Sequence, residues 1–459
     1  MVIVITLVWG AVLAAFGALH WYAWRRLVRD TTRPGSLPRR AGSGVFAAGA
    51  LLTVAAVAAE TRAPFLLQQI LAWPGYLWVA LFLYLVLALL TGEAVRPALQ
   101  RPLVRRRGTD THEEAHPSVG AVAASPGDSG ADRNQELVAA GEPRPVTAGH
   151  GASGTTTPET AATVTMVEHP RTPEPGSLPR PGTGDPSRRL FVSRVIGGSA
   201  AALAVGTVGY GTYGVLRGPK VKRVTVPLAK LPRSAHGYRI AVVSDIHLGP
   251  VLGRGFAQRV VDTINATQPD LIAVVGDLVD GSVKDLSPAA EPLAGLRARH
   301  GAFFVTGNHE YYSGAEQWVE KVRDLGLRPL ENARTELPGF DLAGVNDLAG
   351  TDEGQGPDFT RALGDRDRSR AAVLLAHQPI VIHDAVRHGV DLQLSGHTHG
   401  GQLWPGNLIA DLTNPTLAGL ERYGDTQLYV SRGAGAWGPP VRVGAPSDIT
   451  VVELASTQA

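Results

Sequence analysis

Long stretches without charged side chains constrain this chain more than any other feature. Residues 1–24, 41–59, 63–92 and 195–216 contain no Asp, Glu, Lys or Arg. A helix that crosses a bilayer needs about 20 apolar residues, and each stretch is long enough. A buried core helix, or a cleaved signal peptide for the first stretch, would be the alternatives, but the arginines that follow at once favour a retained span. We therefore predict three transmembrane helices within residues 1–107 and a fourth transmembrane or signal-anchor helix within 188–220.

The placement of arginine predicts the orientation of these helices. Arginines follow the first stretch at positions 25, 26, 29, 33, 39 and 40, and the third stretch at positions 96, 101, 105, 106 and 107. The loop between the second and third stretches holds only Glu60 and Arg62. Because loops rich in Lys and Arg stay in the cytoplasm, the N-terminus is expected outside. Arg188, Arg189 and Arg194 precede the fourth stretch and would send the following domain outside as well. We therefore predict a multi-pass cell-membrane protein.

Two segments flank this last helix and carry different signals. Residues 108–187 are rich in Gly, Pro, Thr, Ala and Ser and contain no Phe, Trp, Tyr or Ile, which predicts a disordered linker because so little apolar surface can be buried. The string SRRLFVSR at residues 187–194 resembles a twin-arginine export signal, which would make the twin-arginine translocation machinery a partner. Ordinary cytoplasmic flanking of a membrane helix is the alternative explanation for these arginines.

Composition excludes several kinds of site. The chain has no cysteine, which rules out disulfides, zinc–thiolate sites, iron–sulfur clusters and cysteine nucleophiles. Its net charge is +2, so no global basic field suggests nucleic acid, and no nucleic-acid partner is expected. Any metal must therefore be bound by His, Asp, Glu or Asn.

Residues 221–459 are predicted to form one α/β domain. Five short Val/Ile/Leu-rich runs alternate with helix-like segments such as 255–267 and 315–325. Continuous apolar runs of this length are typical of strands buried on both faces, and alternation with helices predicts an α/β sheet. Polar side chains follow each run, and such positions gather at one edge of a sheet, where ligands bind.

The polar residues at these strand ends suit a pair of metal ions. They are Asp245, His247, Asp277, Asn308, His377, His397 and His399. Seven oxygen and nitrogen donors exceed what one tetrahedral ion accepts and suit Mn, Fe or Zn. Two ions about 3.5–4 Å apart can hold a phosphoryl group and generate a hydroxide between them. We therefore predict two divalent ions as cofactors.

The ordered motifs DIH, GDLVDG, GNHE, AHQP and GHTHGG resemble those of the calcineurin-like metallophosphoesterases, over residues 238–402. With the membrane segments and the twin-arginine-like string, the chain is similar to the bacterial exported subgroup of that family. The resemblance implies a four-layer αββα sandwich. It also implies that Asp245, His247 and His399 hold one metal, that Asn308, His377 and His397 hold the other, that Asp277 bridges them, and that His309 is the acid for the leaving oxygen.

These observations predict a membrane-anchored phosphoesterase. A metal-bridged hydroxide would hydrolyse a phosphodiester or phosphomonoester in a domain outside the cytoplasm. A catalytically silent metal-binding sensor or scaffold is the alternative. Further residues have smaller expected roles, with a structural alternative for each: Asp280 and Glu310 as supports of the site, Tyr311, Tyr312 and Trp404 as cleft walls, and Arg442 as a phosphate contact.

Overall fold

A computed structural model of the chain describes residues 2–60, 62–105 and 188–458. The predicted linker at 108–187 lies outside the described residues. Four long helices come first, α1 (Val2–Trp24), α2 (Leu37–Ala59), α3 (Phe65–Arg105) and α4 (Arg188–Leu216), with a π-helical turn at Arg25–Arg29 after α1. Within the described part of the chain, three helical stretches meet the length and apolarity needed to cross a membrane, Leu37–Ala59, Phe65–Pro97 and Leu190–Leu216. Charge-free α1, at 23 residues, has a comparable length.

The long helices pack closely on one another. Trp78 and Phe82 of α3 share an apolar cluster with Ala23 of α1 and Ala200 of α4. Gly49 of α2 faces the Trp78 ring so closely that any Cβ would overlap it. Small residues at helix contacts are typical of membrane helices because they let backbones approach.

The arginine-rich ends of these helices meet. Arg26 lies 3.2 Å from Glu93, Arg96 donates to Ser193 at 2.9 Å, and Arg194 donates to the carbonyl of Thr31 at 3.1 Å. One end of the helical group is therefore rich in arginine, and α4 leads away from it toward the globular domain.

The globular domain contains two six-stranded sheets. In the first, the spatial order is β1 (Lys220–Leu228), β12 (Asp448–Ser456), β2 (Tyr238–Val243), β3 (Leu271–Val275), β4 (Ala302–Val305) and β5 (Arg328–Pro329). In the second, it is β10 (Gly419–Tyr423), β11 (Thr426–Val430), β9 (Leu392–Ser395), β8 (Ala371–Leu375), β7 (Phe340–Gly344) and β6 (Ala333–Leu337). Strands β2, β3 and β4 run parallel, as do β7, β8 and β9. The mixed α/β prediction is confirmed.

Alternate side chains of a strand pack into separate hydrophobic clusters on the two faces of its sheet. In β2, Ile240 and Val242 join a cluster that also contains Leu342 and Val373 of the second sheet. The alternating residue Val243 joins a different cluster on the opposite face. Successive side chains point to opposite faces, so a strand covered on both faces must be apolar throughout. This explains the uninterrupted apolar runs in the sequence.

Helices pack on the outer faces. Helices α5 (Arg254–Ala266), α6 (Val283–Ala290) and α8 (Ala315–Asp324) contribute to the cluster on the first sheet, and α9 (Phe359–Leu363) and α10 (Ile382–Arg387) to the cluster on the second. Short α7 (Asn308–Ser313) follows β4, and α11 (Gly406–Thr413) follows the turn after β9. The predicted site residues lie in the segments that directly follow strands β2, β3, β4, β8 and β9.

Candidate active site

The predicted ligands and His309 follow the carboxyl ends of β2, β3, β4, β8 and β9, and Asn308 and His309 form the start of α7. Five of them have left-handed backbone angles although none is glycine: Asp245 (φ 52°), His247 (50°), Asp277 (51°), His397 (74°) and His399 (52°). Such conformations cost about 1–3 kcal/mol each and persist only where surrounding packing imposes them, and they cluster at functional sites. The fold therefore holds these loops in strained conformations that bring their side chains together.

Glycines allow the loops to touch. A Cβ at Gly307 would overlap the Asp277 carboxylate, and a Cβ at Gly396 would overlap Ser244 and the Asp245 carboxylate. Gly307 directly precedes Asn308, and Gly396 directly precedes His397. In the structure their role is close approach between one loop and another.

One group of donors consists of Asp245, His247 and His399, all buried. The Nε2 atoms of His247 and His399 are 3.0 Å apart. Asp245 Oδ1 lies 3.3 Å from His399 Nε2 and 4.0 Å from His247 Nε2. The sequence predicted these three residues as ligands of one ion, and the structure brings them together.

A second group consists of Asp277, His377 and His397. His377 Nε2 lies 3.1 Å from Asp277 Oδ2, and His397 Nδ1 lies 3.0 Å from Asn308 Oδ1. Asp277 Oδ2 is also 3.8 Å from His247 Nε2 in the first group. Asp277 therefore lies between the two groups, as predicted for a bridging ligand.

The donor atoms fit divalent cations. His377 Nδ1 contacts the Val275 carbonyl at 2.9 Å, which accounts for the hydrogen on that nitrogen. Its buried Nε2 faces Asp277 Oδ2 at 3.1 Å but makes no contact with hydrogen-bond geometry among the residues that the structure describes. Metal-bound histidines characteristically use one ring nitrogen for the metal and the other for a carbonyl or carboxylate. Carboxylate, imidazole and amide donors together suit Mn, Fe or Zn.

Charge shifts the pKa values of the buried groups. Burial lowers the pKa of His247, but Asp280, Asp277 and Asp245 outweigh it and raise that pKa to about 9. Burial raises the pKa of Asp277, but His377 and His247 outweigh it, so the net shift is downward. The pKa of His399 is well below its usual value because of burial and the charges of His247 and Arg442. Asp277 is therefore favoured in its negatively charged form.

Asp280 links a predicted ligand to the predicted acid. Its Oδ1 lies 2.8 Å from His247 Nδ1 and 2.7 Å from His309 Nδ1. Burial lowers the pKa of His309, but the hydrogen bond to Asp280 and the charges of Asp280 and Asp277 raise it overall. One ring nitrogen of His309 also lies within 4.8 Å of a ring nitrogen of His247 and a carboxylate oxygen of Asp277. Asp280 thus orients two histidines, which confirms the expectation that it supports the site.

Glu310 holds the Asp277 loop. It is fully buried, and its carboxylate accepts hydrogen bonds from the backbone N–H groups of Gly307 (2.6 Å), Asp277 (3.0 Å) and Leu278 (2.8 Å). The sequence left open whether Glu310 orients His309 or caps a helix. It caps α7, and the same carboxylate also fixes the neighbouring loop.

Several residues differ from the sequence expectations. Arg442, expected as a phosphate contact, is buried and donates to the carbonyl of His399 at 3.0 Å and to that residue's Nδ1 at 3.1 Å. Tyr312 borders His309 as expected for a cleft wall, with the rings 5.5 Å apart. Trp437, which sequence reasoning missed, lies 5.8 Å from the His309 ring. The only feature of the nearby sequence that could have indicated a role for Trp437 is an aromatic residue in a glycine-rich loop.

Asp347 was also missed. It follows β7, is buried, and its Oδ1 accepts a hydrogen bond from Gln378, the neighbour of His377, at 2.9 Å. Its position after a strand follows the same pattern as the predicted ligands. Strand β7 contains Asp341 and is not one of the five apolar runs of the sequence, so the pattern did not identify Asp347.

Comparisons with known proteins agree with this geometry. Residues 238–401 match the family model described as calcineurin-like phosphoesterase. The chain is 41% identical over 268 residues to a Danio rerio protein named transmembrane protein with metallophosphoesterase domain, covering 55% of this chain and 60% of that protein. It is 38% identical over 272 residues to an uncharacterized metallophosphoesterase of Helicobacter pylori, covering 59% and 73%. An uncharacterized metallophosphoesterase of Aquifex aeolicus is 36% identical over 240 residues, covering 51% and 91%. The chain thus spans less than two thirds of the D. rerio protein.

Proposed function

This chain belongs to the metallophosphoesterase family, which makes it a metal-dependent hydrolase of phosphate esters, and from that premise we propose that it is a membrane-anchored phosphodiesterase or phosphomonoesterase with two divalent ions. The observation that carries the proposal is the position of Asp277 between two groups of donors, 3.1 Å from buried His377 and 3.8 Å from buried His247. A structural ion pair would need only one of these partners.

We assign the ligands as the sequence predicted. Asp245, His247 and His399 hold one ion, Asn308, His377 and His397 hold the other, and Asp277 contacts both. Manganese, iron and zinc each suit this donor set. When bound, such ions neutralise phosphate oxygens and activate water for attack on phosphorus.

The remaining residues of the site position substrate and move a proton. His309 is held by Asp280 through Nδ1 at 2.7 Å, which leaves Nε2 as the nitrogen that can serve the leaving oxygen. A general acid of this kind contributes about 10²–10⁴-fold to the rate. Tyr312 and Trp437 flank the His309 ring and would confine the leaving group beside it.

We propose that the catalytic domain lies outside the cytoplasm. The arginine-bearing ends of α1, α3 and α4 meet, with Arg26, Arg96 and Arg194 all engaged there. The positive-inside rule assigns such an end to the cytoplasm. The globular domain begins at Lys220, just after the opposite end of α4. A reporter that matures only outside the cytoplasm, fused after Ala459, should be active; activity of a cytoplasmic reporter instead would overturn this topology.

The finer family and domain assignments are part of the same proposal. We assign residues 1–107 to a helical membrane region, 108–187 to a linker, 188–220 to a signal-anchor and 221–459 to a four-layer αββα domain. We also assign the chain to the bacterial exported subgroup of the family. The three apolar clusters that involve the sheets support four layers. Export by the twin-arginine machinery rests only on the string at 187–194. Replacing Arg188 and Arg189 by lysine should block export by that route and leave a Sec-dependent route intact.

Activity of the purified full chain tests the function. With Mn²⁺ it should release nitrophenolate from bis-p-nitrophenyl phosphate or p-nitrophenyl phosphate. Asp277→Ala should abolish this release, and His309→Ala should reduce it by about 10²–10⁴-fold. Asp285→Ala changes an exposed carboxylate at the start of α6 and serves as the control. Unchanged turnover in both site variants would overturn the assignment.

A further inference from the structure

Helix α11 presents an apolar face without a protein partner among the residues that the structure describes. Leu408, Ile409 and Leu412 are 61%, 70% and 86% exposed. At 100° per residue these three side chains share one face, with Asn407 and Asp411 away from it, so the helix is amphipathic. Exposed aliphatic side chains contiguous on one helix mark a surface that contacts something apolar.

The segment that leads into α11 packs against the membrane helices. The Trp404 carbonyl accepts a hydrogen bond of 2.9 Å from Tyr84 of α3. Val441 is fully buried among Tyr84 and Leu85 of α3 and Val208 of α4, and Leu403 and Val443 pack against the same cluster. This cluster continues the surface of the helical group into the globular domain.

These contacts place residues 403–404 and 441–443 beside the membrane helices, at a level that α4 reaches before it ends at Leu216. Val208 lies eight residues before Leu216, where α4 ends, and at 1.5 Å per residue this is about 12 Å along the helix. Tyr84 lies within the apolar stretch Phe65–Pro97. A loop at this depth carries α11 to the level of the bilayer. Trp404 itself is more than half exposed, as is typical of a residue at a membrane interface.

The same segment forms part of the active site. Gln402 lies three residues after His399, and its side chain bonds the backbone of Trp437 through Nε2 to the carbonyl (2.9 Å) and through Oε1 from the N–H (3.0 Å). Trp437 borders His309. Helix α11 begins at Gly406, seven residues after His399. The apolar face and the site mouth are therefore joined by one short, hydrogen-bonded segment.

We propose that Leu408, Ile409 and Leu412, with Trp404, insert into the outer leaflet, and that the site hydrolyses phosphate esters carried by lipids in that leaflet. The substrate class and the choice of the outer leaflet rest on the proposed function and topology, whereas insertion into the bilayer does not. The bilayer is the occupant because the segment that leads into α11 packs against the membrane helices α3 and α4, which holds the exposed apolar face beside them. Insertion holds Tyr312 and Trp437 near the headgroups, where an ester need not leave the membrane to reach His309.

Insertion is tested without reference to activity. Because the chain has no cysteine, Leu412→Cys introduces a single attachment point for an environment-sensitive fluorophore. Val386→Cys on α10, at a residue 37% exposed, is the matched control. In phosphatidylcholine vesicles containing the full chain, nitroxide-labelled acyl chains should quench the probe at position 412 and not at 386. Quenching of both probes only by aqueous iodide would overturn insertion. Protection of the 412 probe from both quenchers would mean that protein covers α11, and would also overturn it.

The substrate class is tested with two esters that share one leaving group, one water-soluble and one anchored in a lipid bilayer. The probes are water-soluble bis-p-nitrophenyl phosphate and a dioleoylglycerol p-nitrophenyl phosphodiester in phosphatidylcholine vesicles. Replacing Leu408, Ile409 and Leu412 together by Gln should lower kcat/KM on the lipid ester at least about tenfold, through KM, and leave the soluble ester within about twofold. Val386→Gln should alter neither. Equal losses on both esters, or none on the lipid ester, would overturn the substrate class. Failure of the wild type on both esters would instead overturn the proposed function.

Discussion

Replacing Asp280 by Asn should separate orientation of the site histidines from direct ligation. Asp280 Oδ1 accepts from His247 Nδ1 at 2.8 Å and lies 2.7 Å from His309 Nδ1. Asn has the same shape and keeps an acceptor oxygen, but it removes the negative charge. Any loss of activity therefore measures the charge rather than a cavity.

The expected magnitude follows from the two contacts. A hydrogen bond to a charged group contributes about 1.5–3 kcal/mol, against about 0.5–1.5 kcal/mol for a neutral one. The difference is about 1 kcal/mol per contact and about 2 kcal/mol for two. Since 1.36 kcal/mol corresponds to a tenfold change in rate, kcat/KM should fall about 30-fold.

The assay measures kcat/KM of the full chain on bis-p-nitrophenyl phosphate across a Mn²⁺ titration. Supporting residues of this kind change metal affinity by about 10–100-fold, so the Mn²⁺ requirement should rise. Excess Mn²⁺ should restore only part of the activity, because His309 remains less well held. Asp285→Asn is the matched control. A kcat/KM within twofold of wild type at every Mn²⁺ concentration would refute the assignment of Asp280 as the group that orients both histidines.

Three further predictions concern the framework of the site. Glu310→Gln should lower the free energy of unfolding by about 2–4 kcal/mol. Both carboxylate oxygens now accept hydrogen bonds from backbone N–H groups, and the amide NH₂ would face one of those N–H groups without being able to accept. Thermal melting measures this loss, and an unchanged Tm would contradict it. Gly396→Ala should greatly weaken Mn²⁺ binding by calorimetry, because the added Cβ would overlap the Asp245 carboxylate, whereas Gly253→Ala has open space and should bind normally. Removing metal by chelation should lower Tm, and Mn²⁺ at about 100 times its Kd should restore about 2.7 kcal/mol; a Tm insensitive to both treatments would argue against a metal centre.

Local sequence pattern predicted the elements that build the site. Segments 255–267 and 315–325 were predicted as helices, and the structure has α5 at Arg254–Ala266 and α8 at Ala315–Asp324. The apolar runs before Asp245, Asp277 and His377 are strands, because strands buried on both faces require unbroken apolar sequence. Polar residues at the ends of parallel strands within one sheet then converge, whereas the approach of Asp277 to His377 depends on how the two sheets pack together.

Contacts between distant segments could not be predicted in this way. Strand β12 inserts between β1 and β2, parallel to one and antiparallel to the other, and nothing in its own sequence specifies these partners. Arg442 bonds His399 from 43 positions away. Trp437 borders His309 in a loop whose backbone is hydrogen-bonded by the side chain of Gln402, 35 positions away. These positions depend on tertiary packing, which periodicity and spacing do not record.

For the membrane helices, too, the positions could be predicted from the sequence but the contacts could not. Charge-free stretches predicted where α2, α3 and α4 lie, since length and apolarity are local properties. The helix after residue 92 continues to Arg105, past the apolar stretch. The packing of Val441 against Tyr84 joins the globular domain to α3, and no local signal in residues 437–444 indicated it.

Counting bound metal tests the central claim most directly. The claim is that Asp277 joins two groups of donors into one site for two ions. Elemental analysis of the purified full chain, loaded with Mn²⁺ and freed of excess, should give two ions per chain, and Asp277→Asn should retain fewer than two and lose phosphoesterase activity. An active wild-type chain with a single ion, or an Asp277→Asn variant that retains two ions and full turnover, would contradict the account.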